Sequence, residues 1–191
     1  MLFLRKIDKN SPLKLHIGCG NNLFQGWVNI DIIKQKSMGR SYLRADLTKK
    51  MPFSDNSVDL IYSEHFIEHL KIEQGVKIFA EFFRLLKPEG MVRIATPDLD
   101  HLVNKYMSDD WRNQDWLQKS YSWIQTRAEM INVCFKEWGH QYLYNEEELI
   151  RRLKDAGFNN FSRRNLNESS HVDLQNLETR PDSRLIIEAV R

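Results

Sequence analysis

The 191-residue sequence predicts an α/β protein built on a doubly wound sheet that carries a helical insertion. Three observations predict it. Residues 13–31 (LKLHIGCGNNLFQGWVNID) read as a strand, a glycine turn, a short connection and a second strand closed by a carboxylate. Apolar strands at 58–62 and 91–95 are separated by helical patterns, the alternation expected of parallel strands joined by crossovers. The stretch 99–141 fits neither pattern and is rich in tryptophan.

The elements follow in order. Residues 1–12 form a polar lead-in that ends at Ser11-Pro12. Leu13, Leu15 and Ile17 alternate with Lys14 and His16 until Gly18-Cys19-Gly20 breaks the strand. Glycine there lets the backbone come close to a ligand. The connection from Gly18 to Trp27 is too short for a full crossover helix, which needs about a dozen residues, so one helical turn at most is expected. Val28 and Ile30 lead into Asp31. At the carboxyl ends of two such strands a nucleoside-containing ligand sits, and the acid can accept hydrogen bonds from both ribose hydroxyls. A dinucleotide fits less well, because a pyrophosphate wants a glycine turn that feeds a helix N-terminus.

A basic stretch at 34–40 precedes a third strand at 41–46 and a loop at 48–57. The fourth strand, 58–62, ends in Ser63-Glu64-His65 on the same rim as Gly18 and Asp31. Phe66, Ile67 and Leu70 begin a helical pattern, and a second helix at 73–86 carries Val76, Phe79, Ala80, Phe83 and Leu86 on one side. Lys87-Pro88-Glu89-Gly90 stops it, and the fifth strand ends at Thr96-Pro97-Asp98 on the rim. The insertion holds Trp111, Trp116, Trp123 and Trp138 together with Tyr106, Tyr121 and Phe135, and 120–135 reads as one helix. Its position after the rim makes it a lid or acceptor-binding cap. Asn145 caps a helix that opens with Glu146-Glu147-Glu148 and stops at Gly157. A sixth strand at 158–162, a polar loop at 163–182 and a last strand at 184–190 complete a single domain, 1–191, with the cap at 99–141.

The chain is 41% hydrophobic and 28% charged, enough to bury one core. A net charge of +2 gives no basic track for nucleic acid. Arg151-Arg152 and Arg163-Arg164 read as solvated pairs. Cys19 and Cys134 make neither a disulfide framework nor a metal spacing, so no metal site is expected and a reducing cytoplasm is the default. The opening residues lack the apolar run of a signal peptide, and no stretch reaches the length of a membrane span.

Four segments resemble, in order, the class I S-adenosylmethionine-dependent methyltransferases. They are HIGCG with NID (16–31), ADL with MPF (45–53), VDLIYSEHFIEHL (58–70) and FRLLKPEGMVRIATPD (83–98). The likeness resumes with YNEEELIRRLKDAGF at 144–158, and is similar to small stand-alone members found with cell-surface glycan biosynthesis. The sequence departs from that pattern at His16, where the family usually has an acid, and at Asn22, where a third glycine is common. The resemblance implies a Rossmann-like mixed sheet of about seven strands whose last strand is an antiparallel edge. It implies S-adenosylmethionine as cofactor and S-adenosylhomocysteine as product. On the matching positions it implies a cofactor site made by His16, Gly18, Cys19, Gly20, Asp31, Asp46, Leu47 and Ser63, with Asp46 near the adenine edge.

Methyl transfer from a sulfonium is an in-line displacement, so the protein mostly positions donor and acceptor. A base is needed only where the acceptor must lose a proton, as a hydroxyl must. The candidate catalytic residues are His65, directly after the fourth strand, His140, which could reach back over the site, and Glu64, as base or as partner of a histidine. His69, one turn after His65, reads as structural or solvent-facing. The expected acceptor is a small, hydroxyl-bearing, sugar-like molecule under the cap, with Asp98, Asp100, Asn104 and His140 available to its hydroxyls. The alternative is a catalytically silent cofactor-binding module that regulates or binds a partner.

Overall fold

The computed structural model describes residues 11–33 and 41–191. The lead-in before Ser11 and the basic stretch at 34–40 lie outside the described residues. Seven strands form one sheet in the order β3-β2-β1-β4-β5-β7-β6. They are β1 (Lys14–Ile17), β2 (Val28–Asp31), β3 (Tyr42–Arg44), β4 (Val58–Glu64), β5 (Leu86–Thr96), β6 (Asn159–Arg163) and β7 (Leu185–Val190). The first five run parallel, and β7 is antiparallel to both β5 and β6. The antiparallel strand is therefore not the edge. It lies between β5 and β6, and its residues are buried from Leu185 to Ala189, whereas β6 is the largely exposed edge.

Pairing of β1 with β4 sets Ile17 beside Ser63, so the glycine turn and the end of β4 open side by side. No regular helix fills the link from β1 to β2, as its length dictates. Buried Asn29 organises that link instead: its Oδ1 accepts from Phe24 N at 2.8 Å, and its Nδ2 donates to Phe24 O at 3.0 Å and Trp27 O at 3.2 Å.

Helix α1 (Ile72–Leu85) turns Gly75, Ile78, Phe79, Phe82 and Leu85 to the core, a stripe rotated from the expected one, and Val76 is exposed. So many of its residues are apolar that spacing alone did not select a face. Gly75 does, because a Cβ there would come within 2.6 Å of the buried Tyr144 hydroxyl oxygen. The helix ends at Leu85 and β5 starts at once with Leu86, five residues earlier than the stop signal suggested.

The insertion holds α2 (Leu99–Met107), α3 (Asp115–Ser120) and α4 (Arg127–Lys136), and α5 (Glu146–Asp155) follows. Residues 120–135 are not one helix. Thr126 Oγ1 accepts from Glu129 N at 3.1 Å while Glu129 returns a carboxylate to Thr126 N at 3.0 Å, a capping box that starts α4 anew. The insertion has its own small core of Trp111, Leu117, Ile124, Met130 and Val133. The arginine pairs are structural rather than merely solvated: Arg163 bonds Asp98 and Glu146, Arg164 bonds Glu188, and Arg151 and Arg152 share Glu148.

Candidate active site

Gly18 and Gly20 both adopt positive φ, +67° and +51°. A Cβ on Gly18 would meet the Phe66 ring at 2.6 Å, so Gly18 is demanded by packing as well as by backbone. A Cβ built on Gly20 would meet none of the described residues within 4 Å. The Asp31 carboxylate lies beside it. Its Oδ2 accepts from Gly20 N at 2.8 Å and its Oδ1 from Ile33 N at 3.0 Å. Each oxygen keeps a second lone pair, so two vicinal hydroxyls can still be bound.

At the end of β4 the three neighbours behave differently. The Ser63 hydroxyl is buried and has no partner among the described residues. Glu64 is saturated: it accepts from Thr179 N (2.9 Å), Thr179 Oγ1 (2.7 Å), Arg180 N (3.1 Å) and Ser183 Oγ (2.8 Å). His65 sits in the left-handed region (φ +48°), with Nδ1 at 3.1 Å from Glu68 Oε1. That is the distance of an ion pair, although the N–H is not aligned on the oxygen. Its Nε2 is buried and has no hydrogen-bond partner among the described residues.

Glu68 is fully buried, and its Oε2 accepts from Thr96 Oγ1 at 3.0 Å. Burial pushes its pKa up, but the hydrogen bond and charge of His65, with help from His69, hold it below the usual glutamate value. His140 Nδ1 lies 2.7 Å from Cys134 O, which can only accept, so Nδ1 carries the proton and Nε2 the lone pair. Burial keeps His140 below the ordinary histidine value.

A cleft of about 830 Å³ opens between the ends of β4 and β5 and the insertion. His65, His69, His140, Trp116, Tyr121 and Trp138 line it, the Trp138 and His140 rings 5.4 Å apart. Lys105, Lys119, Arg180 and Arg184 add positive charge, and Asp98, Asp115 and Asp182 add acids. The Glu64 grip on residues 179–183 is what brings Arg180 and Asp182 to the cleft wall.

Residues 15–94 match the family described as a methyltransferase domain. That match covers under half of the chain. Phosphoethanolamine N-methyltransferase of Plasmodium falciparum is 28% identical over 132 residues, which make up 59% of this chain and 47% of that protein. The chain thus spans under half the length of that relative. A SAM-dependent methyltransferase from Archaeoglobus fulgidus shares the fold at a TM-score of 0.56 and 16% identity, over 96% of this chain and 87% of that one. Another from Mesorhizobium loti does so at 0.54 and 18%, over 100% and 96%.

The residues expected at the cofactor fall into two groups. Gly18, Gly20 and Asp31 form the rim described above. Asp46 lies just past β3, its Oδ1 accepting from Thr48 N at 3.0 Å and Thr48 Oγ1 at 2.6 Å, and those bonds lower its pKa. The side chains of Cys19 and Leu47 are packed away, and burial, with Asp31 nearby, pushes the Cys19 thiol up to about 12. Replacing Asp31 with alanine should weaken S-adenosylhomocysteine binding by about ten- to a hundredfold, the worth of charge-assisted hydrogen bonds of roughly 1.5–3 kcal/mol. Calorimetry on folded protein checks this, and equal affinities would remove Asp31 from the site.

His16 departs from the expectation of a cofactor contact. Its ring is 2% exposed, stacks on Phe24 at 4.1 Å and meets Asn29 Oδ1 at 3.2 Å. The strand alternation that turns Leu15 and Ile17 to one face sends His16 to the other, among Phe24, Trp27 and Tyr62. Burial pushes its pKa down to about 4 from 6.5, and the Asn29 bond offsets this only in part. A histidine depressed in the folded state leaves stability intact above 6.5 and removes it as pH falls towards about 4. The loss should reach about 3 kcal/mol. Urea unfolding of wild type and His16→Phe across that window measures it: a difference between the two that does not change with pH would contradict it.

Proposed function

We propose that the chain moves the methyl group of S-adenosylmethionine to a hydroxyl of a small, sugar-like acceptor held in the cleft, with His65 as the base. The observation that carries this is the His65 ring. It is buried at the cleft, with Glu68 3.1 Å from Nδ1, and its Nε2, 3.9 Å from Asp182, has no hydrogen-bond partner among the described residues. An oxygen acceptor needs such a base, whereas the cofactor itself supplies the activated methyl group. The acceptor oxygen forms the new C–O bond as the C–S bond breaks, its electron pair returning to sulfur. The hydroxyl proton passes to His65 Nε2, and Glu68 balances the charge that appears on the ring.

Trp116, Tyr121 and Trp138 offer flat faces for the C–H face of a sugar. Trp111 belongs to the insertion's own core, and Trp123, though exposed, does not line the cleft. The Arg180 and Arg184 side chains make no ion pair among the described residues, which suits an acceptor that also bears a phosphate. The chain is read as a cytoplasmic enzyme, in keeping with two buried, unbridged cysteines. Among the described residues no helix is long and apolar enough to cross a membrane.

A screen with isotopically labelled cofactor tests the reading. Sugar phosphates and nucleotide sugars should be methylated on oxygen. Methylation confined to amines such as phosphoethanolamine, or to RNA or protein, would overturn the acceptor class. Tight cofactor binding with no turnover on any class would favour the silent module.

A further inference from the structure

We propose that Glu68, His69 and His140 bind one divalent first-row transition-metal ion at the floor of the cleft, where it would meet the acceptor hydroxyl. This rests on the reading of the cleft as the acceptor site. The three side chains each present a donor atom, and these atoms all lie within 4.8 Å of one another. Ligands about 2.0–2.2 Å from a common ion stand roughly 3–4 Å apart, so the set closes on an ion with movements of about 1 Å.

Each donor is prepared for that role. Cys134 O fixes His140 in the tautomer that leaves Nε2 free, the second-shell bond typical of a ligating histidine. Glu68 is fully buried, its Oε2 held by Thr96, and its Oε1, 3.1 Å from His65 Nδ1, lacks an aligned hydrogen bond among the described residues. A buried carboxylate oxygen left without one is costly unless a cation answers it. The His69 ring lies 5.1 Å from that of His140, with its Nε2 3.9 Å from Glu68 Oε1. Tryptophan 138 closes the far side of His140 at 5.4 Å.

Two imidazoles and one carboxylate suit manganese, iron, cobalt, nickel or zinc rather than magnesium or calcium, which prefer all-oxygen shells. Three protein ligands leave coordination positions open, and His69 and His140 line the cleft, so those positions face the acceptor. An ion there would draw electron density from the acceptor hydroxyl and ease transfer of its proton to the neighbouring His65 Nε2.

Dialysed wild-type protein is titrated with Co²⁺, read by visible absorption, and with Zn²⁺, read by calorimetry. The expected result is one ion per chain, bound at least about tenfold more weakly in His69→Ala and in His140→Ala, and unchanged in His171→Ala, a surface control. The His69 side chain is 34% exposed, so its removal leaves a folded protein even if His140→Ala does not. No saturable binding by folded wild type, or binding that His69→Ala leaves intact, would overturn the site. S-adenosylhomocysteine affinity is measured on the same samples. Cofactor binding without metal binding would remove the ion and keep methyl transfer, and metal binding without cofactor binding would do the reverse.

Discussion

Replacing His65 with alanine should lower turnover by about a hundred- to ten-thousandfold and leave S-adenosylhomocysteine affinity within about twofold. The size follows from its position. The ring is buried at the cleft directly after β4 with no hydrogen-bond partner on Nε2 among the described residues, and Glu64, the other candidate next to it, has its carboxylate occupied by residues 179–183. Backbone strain complicates alanine here, because His65 holds φ +48°. Asparagine tolerates that region better than most residues, so His65→Asn is the companion variant. It should keep the melting temperature and still lose turnover. A large fall in kcat at unchanged acceptor KM in His65→Asn marks the base. Wild-type turnover in that variant would assign the proton elsewhere, with His140 as the next residue to change.

Replacing Arg93 with methionine should cost about 3–5 kcal/mol of folding stability. Arg93 is fully buried on β5, with Nε 2.7 Å from Glu178 and Nη1 2.7 Å from Glu188. It also donates to Glu168 O at 2.8 Å. Removing the guanidinium leaves two carboxylates in a site built for a cation, which costs far more than the pair contributes when intact. The triple variant Arg93→Met, Glu178→Gln, Glu188→Gln should recover part of the loss, since the two buried carboxylates are gone, while Arg164 at the rim of the site loses its Glu188 partner. Denaturant unfolding of the three proteins decides it, and a single variant as stable as wild type would show the network to be neutral. The effect reaches function because Glu168 and Glu178 lie in the segment that ends in Arg180, Asp182 and Ser183 at the cleft. A loosened segment should raise the acceptor KM before it changes cofactor affinity.

The parts legible in the sequence were those set by near neighbours. The glycine turn, the alternation of Leu15 and Ile17, and Asp31 at the end of β2 lie within one short stretch, and strand patterning fixes their rim position. The order of the first five strands follows from parallel crossovers. What was not legible depends on distant partners. Glu64 looks like a base until Thr179, Arg180 and Ser183, 115 or more residues later, are found on its oxygens. The inner place of β7 is likewise set by its pairing with both β5 and β6. Other features did leave a signal. Arg93 is a lone charge in the apolar run MVRIAT, and Glu68 a lone acid between Ile67 and His69 in FIEHL. Charges in such runs are buried and paired. The capping pattern Thr126-x-x-Glu129 marked the start of α4.

The most direct measurement is a crystal structure with S-adenosylhomocysteine. The ribose hydroxyls should lie on the Asp31 carboxylate over Gly20, and the sulfur should face the cleft beside His65, leaving room for an acceptor oxygen in line with the departing methyl group. A ribose placed away from Asp31, or a sulfur screened from the His65 ring by protein, would contradict the assignment of this rim and cleft to methyl transfer.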